Sequence, residues 1–232
     1  MDGVLRSARE LWAELAGIPG EFPSTPGGVR VAVAPDSRLC PSGWVGVVTL
    51  GGASLVTVPD EAAAEPLRGT RALTEAALRE RLPVGAVLGP AALSYVSGDA
   101  FRPVAPGGPQ VEQLPSGLVD LAELERAAGE EDAGEADLGG ITSPVFVVHE
   151  HGRPVAASGY AHWPHRTAHL CVLTAPGTRG RGLARTTASA ATAHALAAGL
   201  LPQWRARPPA SRRVAATLGY LELGTQLSLR LG

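Results

Sequence analysis

The strongest constraint on the fold is a strand, a glycine- and arginine-rich loop and a long helix that follow one another directly. Residues 167–174 (TAHLCVLT) have the composition of a buried strand, and an alanine-rich segment to about Ala198 predicts a helix that ends at Gly199. Between them lies APGTRGRGLA, residues 175–184. A strand that leads directly into a helix predicts a layered α/β fold.

The loop has the chemistry of an anion site. The first N–H groups of a helix have no partner within the helix, and the helix dipole adds positive charge at this end. Gly180 and Gly182 let the backbone approach an oxyanion closely, and Arg179 and Arg181 add charged donors. The loop therefore predicts a bound phosphate or pyrophosphate.

Three known phosphate loops compete for this pattern. The Walker loop requires a lysine, and the chain contains none, because all 20 of its basic residues are arginine. A dinucleotide fingerprint that starts at Gly180 would need its third glycine where Arg185 stands. The remaining pattern, R-x-x-G-x-A at Arg179, Gly182 and Ala184, resembles the acetyl-CoA signature of the GNAT N-acetyltransferase superfamily.

The order of elements around the loop extends this resemblance over about residues 110–232. A hairpin at 144–160 precedes the strand and loop, a short strand at 202–207 follows the long helix, and a helix at 209–220 ends in a Gly-Tyr pair. The last strand, 225–231, alternates strictly, which predicts one buried and one wet face. The resemblance implies a mixed, mostly antiparallel sheet flanked by helices.

The segment at 103–116 is dense in proline and glycine and predicts a boundary between domains 1–107 and 108–232. The first domain is a predicted α/β unit, which is either a degenerate second GNAT-like domain or an accessory domain. Its predicted elements are a helix at 5–15, strands at 29–33, 44–50 and 54–58 with a hairpin across Gly51 and Gly52, helical structure over 61–81 with an interruption near Gly69, and a strand end with a short helix opened by Pro90 within 87–96. In the second domain, 118–128 predicts a helix and 129–140 an acidic loop.

The resemblance implies acetyl-CoA as the cosubstrate. Its pantetheine arm would lie where strands 167–174 and 202–207 splay apart, and its pyrophosphate would lie on the loop. The residues implied in cofactor binding are Val172, Leu173, Thr174, Arg179, Gly180, Arg181, Gly182, Leu183, Ala184 and Ser211. The acceptor amine would then attack the thioester directly in a ternary complex, aided by positioning and by backbone stabilisation of the oxyanion.

Proton transfer has four candidate residues. His169 and Glu150 are candidates for the base, although a strand histidine can also be a packing residue and a turn carboxylate is often only solvated. Many GNAT enzymes have a tyrosine acid in the last helix, and Ala215 stands at that position here. Ser211 and Tyr220 are the candidate substitutes, and the missing acid leaves open a non-catalytic acyl-CoA-binding or regulatory module.

Composition limits the partners. A net charge of −2 argues against a nucleic-acid binder, and no apolar window is long enough for a membrane helix, so we expect a cytoplasmic protein without membrane contact. Two distant cysteines predict buried thiols, and the spacing of His162, His165 and His169 lacks acidic or cysteine partners, so no metal is expected. The predicted acceptor is an amine of a small molecule, peptide or protein; a homodimer and a nucleotide-phosphate enzyme that uses the same loop remain open.

Overall fold

The computed structural model describes residues 2–18, 20–117 and 120–232. The chain forms two compact units, Met1–Leu93 with Glu222–Gly232, and Ser94–Leu221. Composition placed a domain boundary near residue 107, whereas the units divide after Leu93 and the last strand returns to the first unit. Composition detects breaks along the chain, but it does not detect a pairing between distant segments.

Helices and strands are interspersed along the described residues. The helices are α1 (Asp2–Ala16), α2 (Glu61–Ala64), α3 (Glu75–Arg79), α4 (Ala122–Ala128), α5 (Glu130–Ala136), α6 (Leu183–Ala197) and α7 (Pro209–Thr217). The strands are β1 (Val29–Val33), β2 (Val45–Leu50), β3 (Ala53–Val58), β4 (Val84–Tyr95), β5 (Glu112–Leu114), β6 (Val145–Glu150), β7 (Arg153–Trp163), β8 (Thr167–Thr174), β9 (Leu201–Ala206) and β10 (Leu221–Leu231). Short 3-10 turns cover Glu65–Leu67, Leu138–Gly140 and Pro176–Thr178.

The sheet of the first unit confirms the predicted strands and hairpin. β2 and β3 pair antiparallel across Gly51 and Gly52, whose φ angles of 57° and 78° suit a tight turn. β1 runs parallel to β3, and β10 pairs antiparallel with β2. Val47, Val56 and Leu229 pack together in the core of this unit.

The prediction of a short helix opened by Pro90 is wrong. Val84–Tyr95 form the single strand β4, and its last five residues are all buried. A short apolar run fits a buried strand as well as a buried helix, so periodicity alone does not separate them. The interruption predicted near Gly69 within 61–81 is confirmed, because α2 and the 3-10 turn after it end at Leu67 and α3 begins at Glu75.

The predicted wet face of the last strand is wrong as well. Residues 226–229 are all buried in β10, which lies between β2 and β4 in the sheet of the first unit. The side-chain amide of Gln226 donates to the backbone carbonyl of Leu39, so the polar residue is satisfied inside the unit. Alternation therefore predicts a wet face only where no other element covers it.

The second unit has the predicted mixed, mostly antiparallel sheet with helices on both faces. β5, β6, β7 and β8 pair antiparallel in this order, and β9 joins β8 in parallel. On one face, Ala188 of α6 and Ala215 of α7 pack against Tyr160 and Trp204. On the other face, Leu124 of α4, with α5 beside it, covers β8. The fold class is therefore confirmed.

The acidic segment 129–140, which was predicted to be a loop, is helical. Glu130–Ala136 form α5, and a 3-10 turn follows it. The three acidic residues Glu130, Glu131 and Asp132 occupy the first turn of α5, where the helix dipole stabilises negative charge. The predicted start of the preceding helix at Leu118 lies outside the described residues, and α4 begins at Ala122.

None of the helices in the described ranges is long and apolar enough to cross a membrane.

The two cysteines form no disulfide bond with each other. Cys40 and Cys171 are free thiols, and Cys171 is fully buried, which raises its pKa to about 12 because burial disfavours the thiolate.

Candidate functional site

The parallel strands β8 and β9 separate partway along their length. Their paired residues end at His169 and Gln203, although β8 continues to Thr174 and β9 to Ala206. A cleft of about 490 Å³ opens where they part, lined by residues of α5, β8, the loop after β8, the start of α6, β9 and α7. The predicted splay between these two strands is confirmed.

The glycine- and arginine-rich loop forms one end of this cleft. Gly180 and Gly182 have left-handed φ angles of 80° and 79°, and Gly182 is the residue before the first turn of α6. A Cβ added at either glycine would meet no atom within 4 Å, so the space beside the loop is open. The first N–H groups of α6 have no hydrogen-bond partner within the helix, and the residues that carry them line this end of the cleft. The loop thus has the geometry of an anion site.

Nearly all the predicted cofactor-binding residues lie together in the cleft. Those that line it are Val172, Leu173, Thr174, Arg179, Gly180, Gly182, Leu183, Ala184 and Ser211. Arg181 is the exception: its side chain is half exposed and forms a two-armed ion pair with Glu150, with a shortest distance of 2.5 Å. Arg185 and Arg213 line the cleft too, and neither forms an ion pair with a described residue.

Two arginines beside the cleft are paired with carboxylates of α5. Arg179 Nη2 lies 2.6 Å from Asp132 Oδ2, and its Nε donates to the backbone carbonyl of Thr174. Arg207 Nη2 lies 2.6 Å from Glu135 Oε2, and the other oxygen of Glu135 accepts from the backbone N–H of Arg207. Both carboxylates line the cleft. Sequence reasoning missed these two acidic residues because it treated their segment as a solvated loop.

The structure does not bring the two candidate bases to the cleft. His169 is buried, stacks on Trp163 with ring centroids 4.1 Å apart, and its Nδ1 lies 2.5 Å from Gln203 Oε1. Burial, with a smaller contribution from the charge of Arg205, lowers the pKa of His169 to about 3, so the imidazole is neutral. Arg181 holds the pKa of Glu150 below its usual value, which makes this carboxylate a weaker base.

The two candidate acids have different positions. Tyr220 is buried in the core, its hydroxyl lies 2.8 Å from Thr192 Oγ1, and burial raises its pKa. Ser211 lines the cleft and accepts a hydrogen bond of 3.0 Å from Trp204 Nε1. Ser211 is therefore the only one of the four candidate proton-transfer residues that lines the cleft. Ala215 is buried in α7.

Gln203 is a polar residue that sequence reasoning did not select. Its side chain is fully buried at the last pair before the strands separate, and its Nε2 has no hydrogen-bond partner among the described residues. A buried donor without a partner costs about 1–3 kcal/mol, so such a group often serves a ligand or a bound water. A glutamine in a short strand carries no signal in a single sequence, so local pattern could not have identified it.

No group of three His, Cys, Asp or Glu side chains in the part of the chain that the structure describes is arranged to hold a metal ion. His162, one of the spaced histidines, has its Nδ1 2.8 Å from Thr142 Oγ1.

Comparison with known proteins finds a family model that matches part of the second half of the chain. Residues 145–225 match the family model described as GNAT acetyltransferase, so the predicted resemblance is confirmed. Among curated proteins, no match is found.

Three solved structures that are similar to this chain carry GNAT-family or GCN5-related descriptions. One is an acetyltransferase from the GNAT family of Colwellia psychrerythraea, with a TM-score of 0.49 and 15% identity over 70% of this chain and 63% of that chain. Another is a GCN5-related N-acetyltransferase from Kribbella flavida, with a TM-score of 0.47 and 21% identity over 66% of this chain and 62% of that chain. A GCN5-related N-acetyltransferase-like protein from Streptococcus suis gives a TM-score of 0.49 and 18% identity over 79% of this chain and 83% of that chain. This chain thus spans less than two thirds of the length of the first two.

Proposed function

Because residues 145–225 match the family model described as GNAT acetyltransferase, we propose that this chain is an acetyl-CoA-dependent N-acetyltransferase. It transfers an acetyl group to a primary amine of a small molecule, a peptide or a protein. When bound, acetyl-CoA supplies the acetyl thioester, and the amine attacks this thioester directly while both substrates are bound.

The cleft between β8 and β9 is the observation that carries this proposal. The anion site at Arg179–Ala184 lies at one end of it, and the cleft extends along β8 to Leu170 and across to Trp204 of β9. A ligand that is held by phosphate at the loop would therefore have its far end near the point where the strands separate. An elongated molecule with phosphate at one side and a reactive group at the end has the shape that this cleft accepts.

The residues of the cleft fit the chemistry of CoA. Gly180 and Gly182 leave open space at the start of α6, where backbone N–H groups can hold the pyrophosphate. Arg185 and Arg213 add positive charge along the same cleft. Beyond His169, no described residue pairs with the edge of β8 that faces β9, so its backbone groups can hydrogen-bond the amides of the pantetheine arm as an added strand would.

Most of the catalysis would then come from positioning. The neutral His169 and the ion-paired Glu150 are poor bases at neutral pH in these surroundings. Ser211 offers a hydroxyl in the cleft to the departing thiolate. We propose that the loop and the strand edge hold the thioester while the amine approaches, and that this orientation supplies the larger part of the rate.

A specific observation favours a second function, a non-catalytic acyl-CoA-binding or regulatory module. Tyr220 is hydrogen-bonded in the core, and the resemblance places Ala215, which has no side-chain proton to donate, where many GNAT enzymes have a tyrosine acid. A chain that retained the phosphate loop and lost its proton donor would bind the donor and turn it over slowly or not at all.

Release of free CoA thiol from acetyl-CoA, measured over a broad panel of amines, separates the two functions. An acetyltransferase releases thiol faster with at least one amine than in the same mixture without amine, and mass spectrometry detects an acetylated product. A module binds acetyl-CoA with no amine-dependent release for any acceptor. If neither binding nor release occurs, both functions are wrong.

A further inference from the structure

Helix α5 brings negative charge into a cleft that is otherwise suited to anions. Asp132 and Glu135 are three residues apart, so their side chains extend from the same face of the helix. Asp132 reaches Arg179 of the phosphate loop at 2.6 Å, and Glu135 reaches Arg207, just after β9, at 2.6 Å.

Two donors on one edge of the Arg179 guanidinium group, Nε and Nη2, are already hydrogen-bonded. Its Nε donates to the backbone carbonyl of Thr174, which holds the side chain against the start of the loop, and its Nη2 donates to Asp132. A phosphate that approaches Arg179 therefore meets a carboxylate of the same sign on the guanidinium. The phosphate and the carboxylate of Asp132 would repel each other at this distance, so one of them has to move away from Arg179.

The contact is of a kind that a ligand can displace. The side chains of Asp132 and Arg179 are 41% and 48% exposed, and half-exposed ion pairs contribute little to stability. A pyrophosphate carries more charge than one carboxylate, and it would also bond the N–H groups at the start of α6. The ligand has stronger interactions with the loop than Asp132 has.

We propose that Asp132 of α5 occupies Arg179, which a phosphate of the donor takes, so that α5 limits the affinity of the cleft for CoA. Arg185 and Arg213, which line the cleft, attract the ligand first, and the carboxylate of Asp132 leaves Arg179 as the phosphate binds. This inference rests on the proposed function, because it takes CoA as the ligand of the cleft.

Calorimetric titration of CoA into the full chain tests the proposal. Asp132→Asn keeps the shape of the side chain and removes its charge, and we expect it to lower the Kd for CoA about three- to fivefold. Glu130→Gln is the matched control, because it removes the same charge from α5 at a residue that does not line the cleft. We expect it to change the Kd less than twofold.

A double-mutant cycle adds a second measurement. In an Arg179→Gln background, Asp132→Asn should lose most of its effect, because the side chain that it releases is gone. Thermal unfolding without ligand confirms that each variant is folded before its affinity is compared.

The remaining outcomes overturn the proposal in distinguishable ways. If Asp132→Asn weakens CoA binding, Asp132 instead holds Arg179 in place for the ligand. If Asp132→Asn and Glu130→Gln tighten binding equally, the effect is one of net charge and not of the contact. Equal affinity of the wild type and Asp132→Asn overturns the role of α5 alone, whereas the absence of CoA binding to every folded variant overturns the proposed function as well.

Discussion

His169 differs from an ordinary histidine because of where its side chain lies. Its ring is stacked on Trp163 and hydrogen-bonded to Gln203. Because the ring is buried away from water, its pKa falls to about 3. The resemblance made His169 a candidate base. Whether its side chain is buried depends on how the helices cover the strand. A single sequence does not contain that information.

The buried His169 should make the stability of the fold depend on pH. Its folded-state pKa of about 3 lies below the unfolded value of 6.5, so the unfolded chain binds the proton first as the pH falls. The stability that is present above pH 6.5 is therefore lost between pH 6.5 and about 3, by at most about 1.4 kcal/mol per pH unit. Urea unfolding at a series of pH values, followed by circular dichroism, measures this loss.

The control for this pH dependence is a comparison of variants. His169→Gln should remove its contribution, so the difference in unfolding free energy between variant and wild type should change steadily with pH. Parallel curves for His169→Gln and the wild type would contradict the assigned pKa.

The open loop before α6 could be predicted residue by residue, and the charges opposite it could not. Gly180 and Gly182 were selected because glycine lets the backbone approach an oxyanion closely, and both have the left-handed φ that glycine adopts readily. Asp132 and Arg179 are 47 residues apart, and only the folded chain brings them together. Local chemistry was therefore predictable, whereas pairing across the cleft was not.

At the scale of elements, α5 shows how composition can mislead. Its sequence, EEDAGEA, is acidic and contains a glycine, which together indicate a loop. In the structure, the carboxylates occupy the first turn, where the dipole stabilises them, and Ala136 is buried against the sheet. The long helix α6 was easier to predict, because it extends over several turns and ends at Gly199 with a left-handed φ of 69°.

Gly134 provides a direct test of α5 as a helix. It lies in the middle of α5, and a Cβ built on it would meet no atom within 4 Å. Gly134→Ala should therefore raise the free energy of unfolding by about 0.5–1 kcal/mol, because glycine loses more backbone entropy in a helix than alanine does. Urea unfolding measures the change.

The matched control is a glycine with equal space and a different backbone. Gly152 has a φ of 77° in the turn between β6 and β7, also with no atom within 4 Å of an added Cβ. Gly152→Ala should lower the free energy of unfolding by about 1 kcal/mol because alanine is strained there. A neutral or destabilising Gly134→Ala would argue that residues 130–136 are not a stable helix.

At the scale of the whole molecule, the chain returns to its first unit at the end. β10 pairs with β2, and Gln226 and Ser228 are buried with their apolar neighbours. The order of elements from the hairpin at β6 and β7 to α7 was predicted, because each step is short and local. The destination of β10 was not, because its pairing with β2 joins segments at opposite ends of the sequence.

Leu229 tests the contribution of this last strand. It is fully buried and packs in the core of the first unit. Leu229→Ala should lower the free energy of unfolding by about 2–5 kcal/mol through lost contacts and the cavity that it leaves. Leu221→Ala, at a residue 50% exposed at the start of the same strand, should change it by less than about 0.5 kcal/mol. Equal effects would contradict the burial of the strand end.

The binding of acetyl-CoA to the cleft is the central claim for the molecule, and thermal unfolding with and without this ligand tests it most directly. At about 100 times the Kd, acetyl-CoA should stabilise the fold by about 2.7 kcal/mol, which raises the unfolding temperature by several degrees. Arg179→Glu should abolish the shift, and Arg126→Glu, which reverses the same charge on an exposed face of α4, should preserve it. The absence of a shift with both acetyl-CoA and CoA in the wild type, or an undiminished shift in Arg179→Glu, would contradict it.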